Sequence, residues 1–163
     1  MGIELRRAAR DDIVPLLQLN VADDQHDFVV HNAMTIAQAA FEPNTDILGI
    51  WAGNRPVGLT TLVDMRNYPY ADDGHDPMSG YIWRIMIDRE HQRHGYGRAA
   101  LRRVEDWANA RHLRHLFVAA VETNTAALTL YRALGYRPTG RVIAGEIELT
   151  KRLCPCDAVQ KRA

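Results

Sequence analysis

The 163-residue sequence lacks the features that mark secreted, membrane-spanning or nucleic-acid-binding proteins. Its two cysteines, Cys154 and Cys156, both lie near the end, whereas a disulfide-stabilised secreted fold needs more cysteines spread along the chain. No apolar run approaches the ~20 residues that span a bilayer. The 20 basic and 20 acidic residues cancel, so the basic surplus of a nucleic-acid binder is missing. We therefore expect neither a membrane nor a nucleic-acid partner.

Length and composition predict one compact domain. Nearly half of the residues, 47%, are hydrophobic, which is enough for a packed core. We expect a single domain over residues 1–153 and a short tail over residues 154–163, where the C-x-C pair is interpreted as solvated; a metal half-site is the alternative. Residues 1–6 have no hydrophobic stretch after their charges, so we expect no secretory signal and a cytoplasmic location.

Hydrophobic periodicity predicts an α/β fold, a mixed sheet with helices on its faces. Alternating or continuous apolar runs indicate strands, and apolar residues at helical spacing indicate helices. Asp11 and Asp12, followed by Pro15, are typical of a helix start. The predicted strands cover residues 3–7, 47–52, 57–63, 81–87, 116–121, 136–142 and 146–149. The predicted helices follow Asp12 and cover about residues 24–41, 99–108 and 126–134, and residues 67–77 form a polar loop.

Residues 85–100 run from the strongest strand through a loop into a glycine-containing turn and a helix. Such a turn directs several backbone N–H groups at one point, and the helix adds the positive end of its dipole there. Gly95 and Gly97 allow the backbone to approach a ligand closely, and Arg93 and Arg98 supply charge nearby. The segment therefore predicts an anion site suited to a pyrophosphate.

Other nucleotide motifs fit this segment less well. The Walker pattern G-x-x-x-x-G-K-[ST] is absent. Residues 95–100, GYGRAA, match the dinucleotide fingerprint G-x-G-x-x-A, and Glu122 ends the next strand. However, seven residues separate the strand from Gly95, whereas in a dinucleotide fold the glycine turns directly off the strand. A plain glycine turn without a ligand is the remaining alternative.

Two motifs resemble those of the GNAT superfamily of N-acetyltransferases. Residues 92–97, QRHGYG, match its acetyl-CoA signature Q-x-x-G-x-G, and residues 124–136 are similar to its second motif, N-x-x-A-x-x-L-Y followed by G-[FY]. The resemblance covers roughly residues 3–153. It implies a mostly antiparallel sheet whose two central parallel strands splay apart around the acetyl thioester of acetyl-CoA, which is the co-substrate.

The resemblance also implies roles for particular residues. The amide of Met86 or Ile87 would donate to the thioester carbonyl, Asn124 would bind the pantetheine arm or cap a helix, and Tyr131 would serve as general acid or as a hydrogen-bond donor to the sulfur. On helical spacing alone Tyr131 is a core aromatic. The predicted coenzyme-binding residues are Met86, Ile87, Gln92, Arg93, His94, Gly95, Tyr96, Gly97, Arg98 and Asn124.

The amine must lose a proton to attack directly in a ternary complex, since an alkylammonium has a pKa of ~10.4. Glu122, at the end of a strand that would face the acetyl group, is the first candidate for the proton acceptor, and Asp88 and His94 are the others. A solvated or helix-capping carboxylate is the alternative reading of Glu122. The pairs His91/His94 and His112/His115 have metal-like spacing, but no supporting motif accompanies them and we expect no metal.

The acceptor amine is the least determined part of the prediction. Asp23, Asp24 and Asp27 would attract a cationic substrate, as would the loop residues Asp72, Asp73 and Asp76, unless these carboxylates are merely solvated. Residues 28–38 and 83–88, including Trp83, look like bacterial spermine/spermidine acetyltransferases, which favours a polyamine. An aminoglycoside or another amine antibiotic is the rival substrate, and a non-catalytic acetyl-CoA-binding module is the rival function. Family habit predicts a homodimer.

Overall fold

A computed structural model describes residues 2–153 as one seven-stranded sheet flanked by four α-helices. The strand order is β1-β2-β3-β4-β5-β7-β6, and every neighbouring pair is antiparallel except β4–β5. The strands are β1 (Ile3–Arg7), β2 (Thr45–Ala52), β3 (Arg55–Asp64), β4 (Ser79–Ile87), β5 (His115–Val121), β6 (Arg137–Ile143) and β7 (Glu146–Arg152). The helices are α1 (Ile13–Leu17), α2 (Asn32–Ala39), α3 (Tyr96–Ala110) and α4 (Thr125–Ala133).

Helices cover both faces of the sheet, as predicted. Leu116 and Val118 of β5 pack in one buried cluster with Leu101 of α3 and Leu128 of α4. On the opposite face, a second cluster packs residues of β3 and β4 against residues of α1 and of the segment that follows it; its buried members are Leu16, Val21, Leu59 and Met86. Burial on both faces explains why the central strands are nearly continuous apolar runs.

The two parallel strands separate part of the way along their length. Pairing between β4 and β5 runs from Ser79 opposite His115 to Ile82 opposite Val118. Beyond that point β4 continues to Ile87, still paired with β3, and β5 continues to Val121, still paired with β7. A gap therefore opens between the C-terminal halves of β4 and β5.

The order of helices and strands agrees with the sequence prediction, and the largest error concerns the second helix. It was expected over residues 24–41, but α2 begins at Asn32, and only one turn of 3₁₀ helix covers residues 23–25. His31 caps α2 by accepting from the amide of Ala33, and the buried side chain of Asn32 donates to the carbonyl of Leu16 at 2.8 Å. These contacts fix the start of α2 at Asn32, and residues 26–31 therefore precede the helix and are not part of it.

The limits of the described chain bear on two expectations. The proposed tail over residues 154–163, with Cys154 and Cys156, lies outside the described residues, as does Met1. Between residues 2 and 153, no helix combines the length and apolar character needed to cross a membrane.

Candidate functional site

Two adjoining clefts open where β4 and β5 separate. The turn cleft, of about 390 Å³, lies between the gap and the start of α3. The gap cleft, of about 300 Å³, lies over the splayed strands themselves. They share the side chains Phe28, Val29, Ile85, Asn124 and Ala127. Because they share these walls, one elongated ligand could occupy both clefts.

The turn before α3 is held open by left-handed backbone. Arg93 has φ +62° and Gly95, the residue that precedes the helix, has φ +81°. A Cβ at Gly95 would meet nothing within 4 Å, so the backbone angle rather than space is what favours glycine there. Gly97 differs, because its Cβ would lie 3.3 Å from Leu130 and so narrow the turn cleft. Gly97 and Arg98, in the first turn of α3, border this cleft, and the amides of a first helical turn suit an anion.

Gln92 fastens the turn to the end of β4. Its Nε2 donates to the carbonyl of Ile87 at 3.0 Å and to Oε1 of Gln25 at 2.7 Å. The first residue of the glycine signature therefore positions the loop, and it also lines the turn cleft. Asp88 has a related structural role, since its carboxylate accepts from the amides of Asn20 at 2.8 Å and Glu90 at 3.1 Å.

The alternation of hydrogen bonds along β3 and β4 distinguishes Ile87 from Met86 as an amide donor. Asp88 donates its backbone N–H to the carbonyl of Val57 at 2.9 Å. Successive residues of an antiparallel pair point alternately toward and away from the partner strand, so Ile87 presents its backbone to the gap while Met86 faces Leu59 of β3. The side chain of Met86 is buried against Asn32. The geometry therefore favours the amide of Ile87.

Asn124 occupies the boundary of the two clefts. Its Oδ1 accepts from the amide of Ala127 at 3.2 Å, which caps α4. The cap uses the side-chain oxygen only, and no hydrogen bond of its amide nitrogen is seen between residues 2 and 153. Both predicted roles, capping and contact with a ligand, are therefore compatible.

Tyr131 lines the gap cleft from α4, as the motif predicts, but its environment disfavours ionisation. The residue is 5% exposed, and burial, reinforced by the charge of Glu146, raises the pKa of the phenol well above its ordinary value. Proton donation from a phenol, whose pKa is ordinarily ~10, to a thiolate with a conjugate-acid pKa of ~8.5 requires a lowered phenol pKa. The structure therefore favours the other role, a neutral hydroxyl that donates a hydrogen bond.

Two opposite charges, neither of them among the predicted site residues, line the gap cleft. Glu146 stands at the start of β7, where burial raises the pKa of its carboxyl and Arg84 lowers it more weakly. Arg84 projects from β4, where burial lowers the pKa of its guanidinium. The signal in the sequence was weak, because Glu146 was predicted only as the first residue of a strand.

A bulge in β4 places Trp83 beside Arg84. Arg84 pairs with Thr61 and Ile82 with Leu62, which leaves Trp83 without a partner on β3. The bulge lets Trp83 and Arg84 both line the gap cleft, with the Arg84 guanidinium 4.6 Å from the centre of the Trp83 ring. The prediction that Trp83 lies in an acceptor site is thus compatible with its position.

The three residues expected to accept a proton do not line either cleft. Glu122 is exposed in the turn after β5, and Asp88 is occupied by backbone amides. His94 is exposed, its Nδ1 lies 2.7 Å from the carbonyl of Gln92, and its ring stacks on Tyr96. Glu146 is the carboxylate that the structure places in the gap cleft.

The acidic residues expected to attract the substrate also lie outside the two clefts. Asp23, Asp24 and Asp27 are exposed, and Asp23 faces Arg89 and His26. In the β3–β4 loop, Asp72 pairs with Arg141 and Asp76 with His115, while Asp73 is exposed. The segment that contains Asp23, Asp24 and Asp27 instead contributes the apolar side chains of Phe28 and Val29 to the clefts.

A larger cleft of about 710 Å³ lies elsewhere, near the ends of β2 and β3. Most of its charged side chains pair with one another: Asp46 contacts Arg7 at 3.5 Å and Arg111 at 2.8 Å, and Asp64 pairs with Arg66. It contains no residue of the two motifs. Within residues 2–153, no group of three or more His, Cys, Asp or Glu is arranged to hold a metal ion.

Comparison with solved structures confirms the fold. AAC(6')-Ib in complex with paromomycin and acetyl-CoA superposes with a TM-score of 0.77 at 12% identity, with all of both chains covered. The GNAT domain of PAT from S. lividans gives 0.73 at 15% identity, covering 93% of this chain and 90% of the other. The PaiA N-acetyltransferase from Thermoplasma acidophilum, in complex with coenzyme A, gives 0.67 at 12% identity, covering 93% and 99%. At these identities the likeness establishes the fold alone.

Sequence comparison establishes the family. The acetyl transferase GW6a of Oryza sativa subsp. japonica is 38% identical over 58 residues, which are 35% of this chain and only 14% of that protein. The family model of the acetyltransferase (GNAT) family matches residues 13–136, which contain both glycine-turn and α4 motifs. The chain therefore belongs to the acetyltransferase (GNAT) family.

Proposed function

We propose that this protein transfers the acetyl group of acetyl-CoA to a primary amine bound in the gap cleft. The observation that carries the proposal is the junction of the two clefts at the splayed strands. The turn cleft offers amides at the start of α3 for a diphosphate and is lined by Ile87, and the gap cleft offers the carboxylate of Glu146 and the buried phenol of Tyr131. An acyl group and an amine would meet where the clefts share their walls.

The residues at the junction suit direct attack in a ternary complex. The amide of Ile87 would donate to the thioester carbonyl, and this hydrogen bond strengthens as the oxygen gains negative charge. The amine nitrogen bonds to the acetyl carbon, its proton passes to Glu146 directly or through water, and the carbon–sulfur bond breaks. Tyr131 would donate a hydrogen bond to the departing sulfur.

Glu146 fits the role of proton acceptor because burial raises the pKa of its carboxyl. A base is most effective when its pKa approaches the operating pH, and a raised carboxyl pKa moves in that direction. Glu122, the first candidate from the sequence, is tested beside it.

The finer choice of acceptor stays a prediction. A polyamine is favoured by the resemblance of residues 28–38 and 83–88, but its expected carboxylates, Asp23, Asp24 and Asp27, lie outside the clefts. An aminoglycoside is the rival: AAC(6')-Ib was solved with paromomycin and acetyl-CoA, although that likeness extends to the fold alone. We also expect a cytoplasmic homodimer; sedimentation of the purified chain checks the dimer.

Thiol release from acetyl-CoA in the presence of a panel of amines tests the proposed function. The panel contains monoamines, diamines, spermidine, spermine and aminoglycosides, with acetyl-CoA alone as the blank. We expect amine-dependent release for at least one class. Binding of acetyl-CoA without release for any amine would contradict the proposal and support the non-catalytic module instead.

A further inference from the structure

Arg84 is a cation in the gap cleft that has no carboxylate partner within the described chain. Its NH1 donates one long hydrogen bond, 3.4 Å, to Oγ1 of Thr35, and no ion pair of this residue occurs between residues 2 and 153. Three arginines of the larger polar cleft, Arg7, Arg66 and Arg111, each pair with an aspartate. Arg93 and Arg98 of the turn cleft are exposed to solvent, whereas Arg84 is half-buried. A half-buried guanidinium has lost part of its hydration, so an unmatched one is costly.

The surroundings of Arg84 restrain its position. One face of the guanidinium lies over the indole of Trp83, which the β4 bulge holds at the cleft wall. Stacking of this kind leaves the in-plane N–H donors at the edge of the group available. Those donors match a carboxylate, which accepts two parallel N–H···O bonds from arginine.

Glu146 provides the opposite charge in the same cleft without neutralising Arg84. Each of the two groups feels the charge of the other, yet their atoms do not approach within the 4.0 Å of an ion pair. The cleft therefore holds one cation and one carboxylate at separate points of its wall. A diamine would bring a second positive charge toward Arg84, whereas an amine that carries an anion would match both groups.

We propose that the acceptor is a small primary amine that also carries a carboxylate or similar anionic group, which Arg84 binds while Glu146 receives the amine. This inference rests on the proposed acetyl transfer and names the substrate class of that same site. Arg84 is then a specificity-determining residue. Its effect should appear in the choice among amines rather than in the binding of acetyl-CoA, since Arg84 does not line the turn cleft.

Matched amines of equal length test the proposal. The probes are ω-amino acids from glycine to 6-aminohexanoate, the neutral n-alkylamines and the α,ω-diamines, with aminoalkyl phosphates to separate a carboxylate from a phosphate. For the unaltered protein we expect kcat/KM to be at least about tenfold higher for an anionic amine of one length than for the matching diamine, the effect of about 1.4 kcal/mol in binding. Equal or better turnover of the diamines would overturn the inference.

Variants of Arg84 provide a second test of the proposal. In Arg84→Gln the ratio of kcat/KM between the anionic and the neutral amine should fall about tenfold or more, because the variant loses the charged hydrogen bonds to the anionic group. Arg84→Glu should invert the preference toward diamines, and Arg102→Gln, on the exposed side of α3, is the matched control for loss of one positive charge. Unaltered affinity for acetyl-CoA shows that the Arg84→Gln variant is folded. If its ratio of kcat/KM is then the same as that of the unaltered protein, the inference is overturned.

The outcomes separate this inference from the function on which it rests. If no amine of any class releases thiol, the acetyl transfer itself fails. If neutral amines or diamines are acetylated without preference for an anion, the transfer stands and the role of Arg84 is wrong.

Discussion

The turn cleft and the gap cleft differ in how the chain builds them. One continuous stretch, residues 92–98, supplies the glycine turn that lines one side of the turn cleft, and Gln92 fastens this loop to Ile87. The gap cleft is made of side chains from β4, α4, β7 and the segment before α2, which only the sheet topology brings together. The anion site that we propose at the turn is therefore local in sequence, whereas the proposed acceptor site is distributed over the fold.

The largest expected effect concerns the chemistry of the gap cleft. Glu146→Gln should lower kcat/KM by about 100-fold or more, since a positioned base contributes about 10²–10⁴-fold, while the calorimetric Kd for acetyl-CoA stays the same. Steady-state thiol release measures the loss. Glu122→Gln is the paired variant, because the sequence predicts that residue as the base. A larger loss in Glu122→Gln than in Glu146→Gln would reverse our assignment.

The next effect concerns the turn cleft. Gly95→Ala should weaken acetyl-CoA binding by up to about tenfold, because a left-handed backbone costs a non-glycine residue about 1–2 kcal/mol and distorts the turn. Gly53→Ala is a matched control: its φ is +62°, its Cβ would also meet nothing within 4 Å, and it lies in the β2–β3 hairpin. If both variants bind acetyl-CoA equally well by calorimetry, the turn does not hold the coenzyme.

This contrast also explains what the sequence could and could not predict. The strand order along the chain and the turn were predictable, because apolar periodicity and the Q-x-x-G-x-G pattern are local signals. The choice between Met86 and Ile87 was not, since it depends on the hydrogen-bond alternation between β3 and β4. Glu146 and Arg84 gave only a weak signal, because a charged residue at the start of a strand or within one resembles any solvated residue until the sheet is assembled.

A smaller effect separates two roles for Tyr131. Tyr131→Phe should lower kcat by about 2–10-fold, the value of one neutral hydrogen bond of about 0.5–1.5 kcal/mol, without changing the affinity for acetyl-CoA. Since burial raises the pKa of the Tyr131 phenol, the phenol should stay protonated as the pH rises to ordinary alkaline values, and kcat should not fall through its ionisation. Tyr136→Phe is the control, because that buried hydroxyl has no hydrogen-bond partner in the described chain. A loss above about 100-fold in Tyr131→Phe would favour proton donation instead.

The smallest effect is on stability. The raised pKa of Glu146 means that the folded protein holds this proton more tightly than the unfolded chain does. The associated stabilisation is complete below the unfolded pKa of ~4.3 and is lost as pH rises through the folded pKa. Glu146→Gln should therefore melt at a higher temperature than the unaltered protein at pH 8, and the difference should shrink at pH 4. Thermal unfolding at the two pH values measures it; a lower melting temperature at pH 8 would contradict the assigned shift.

The central claim is that acetyl-CoA binds along the turn and reaches the gap beside Ile87. Titration of the ¹⁵N-labelled protein with acetyl-CoA, followed by amide NMR shifts, tests this most directly. The account predicts saturable changes that are largest at Gly95, Gly97, Arg98 and Ile87. Changes concentrated instead around Asp46 and Arg111, in the larger polar cleft, or no changes at millimolar acetyl-CoA, would contradict it.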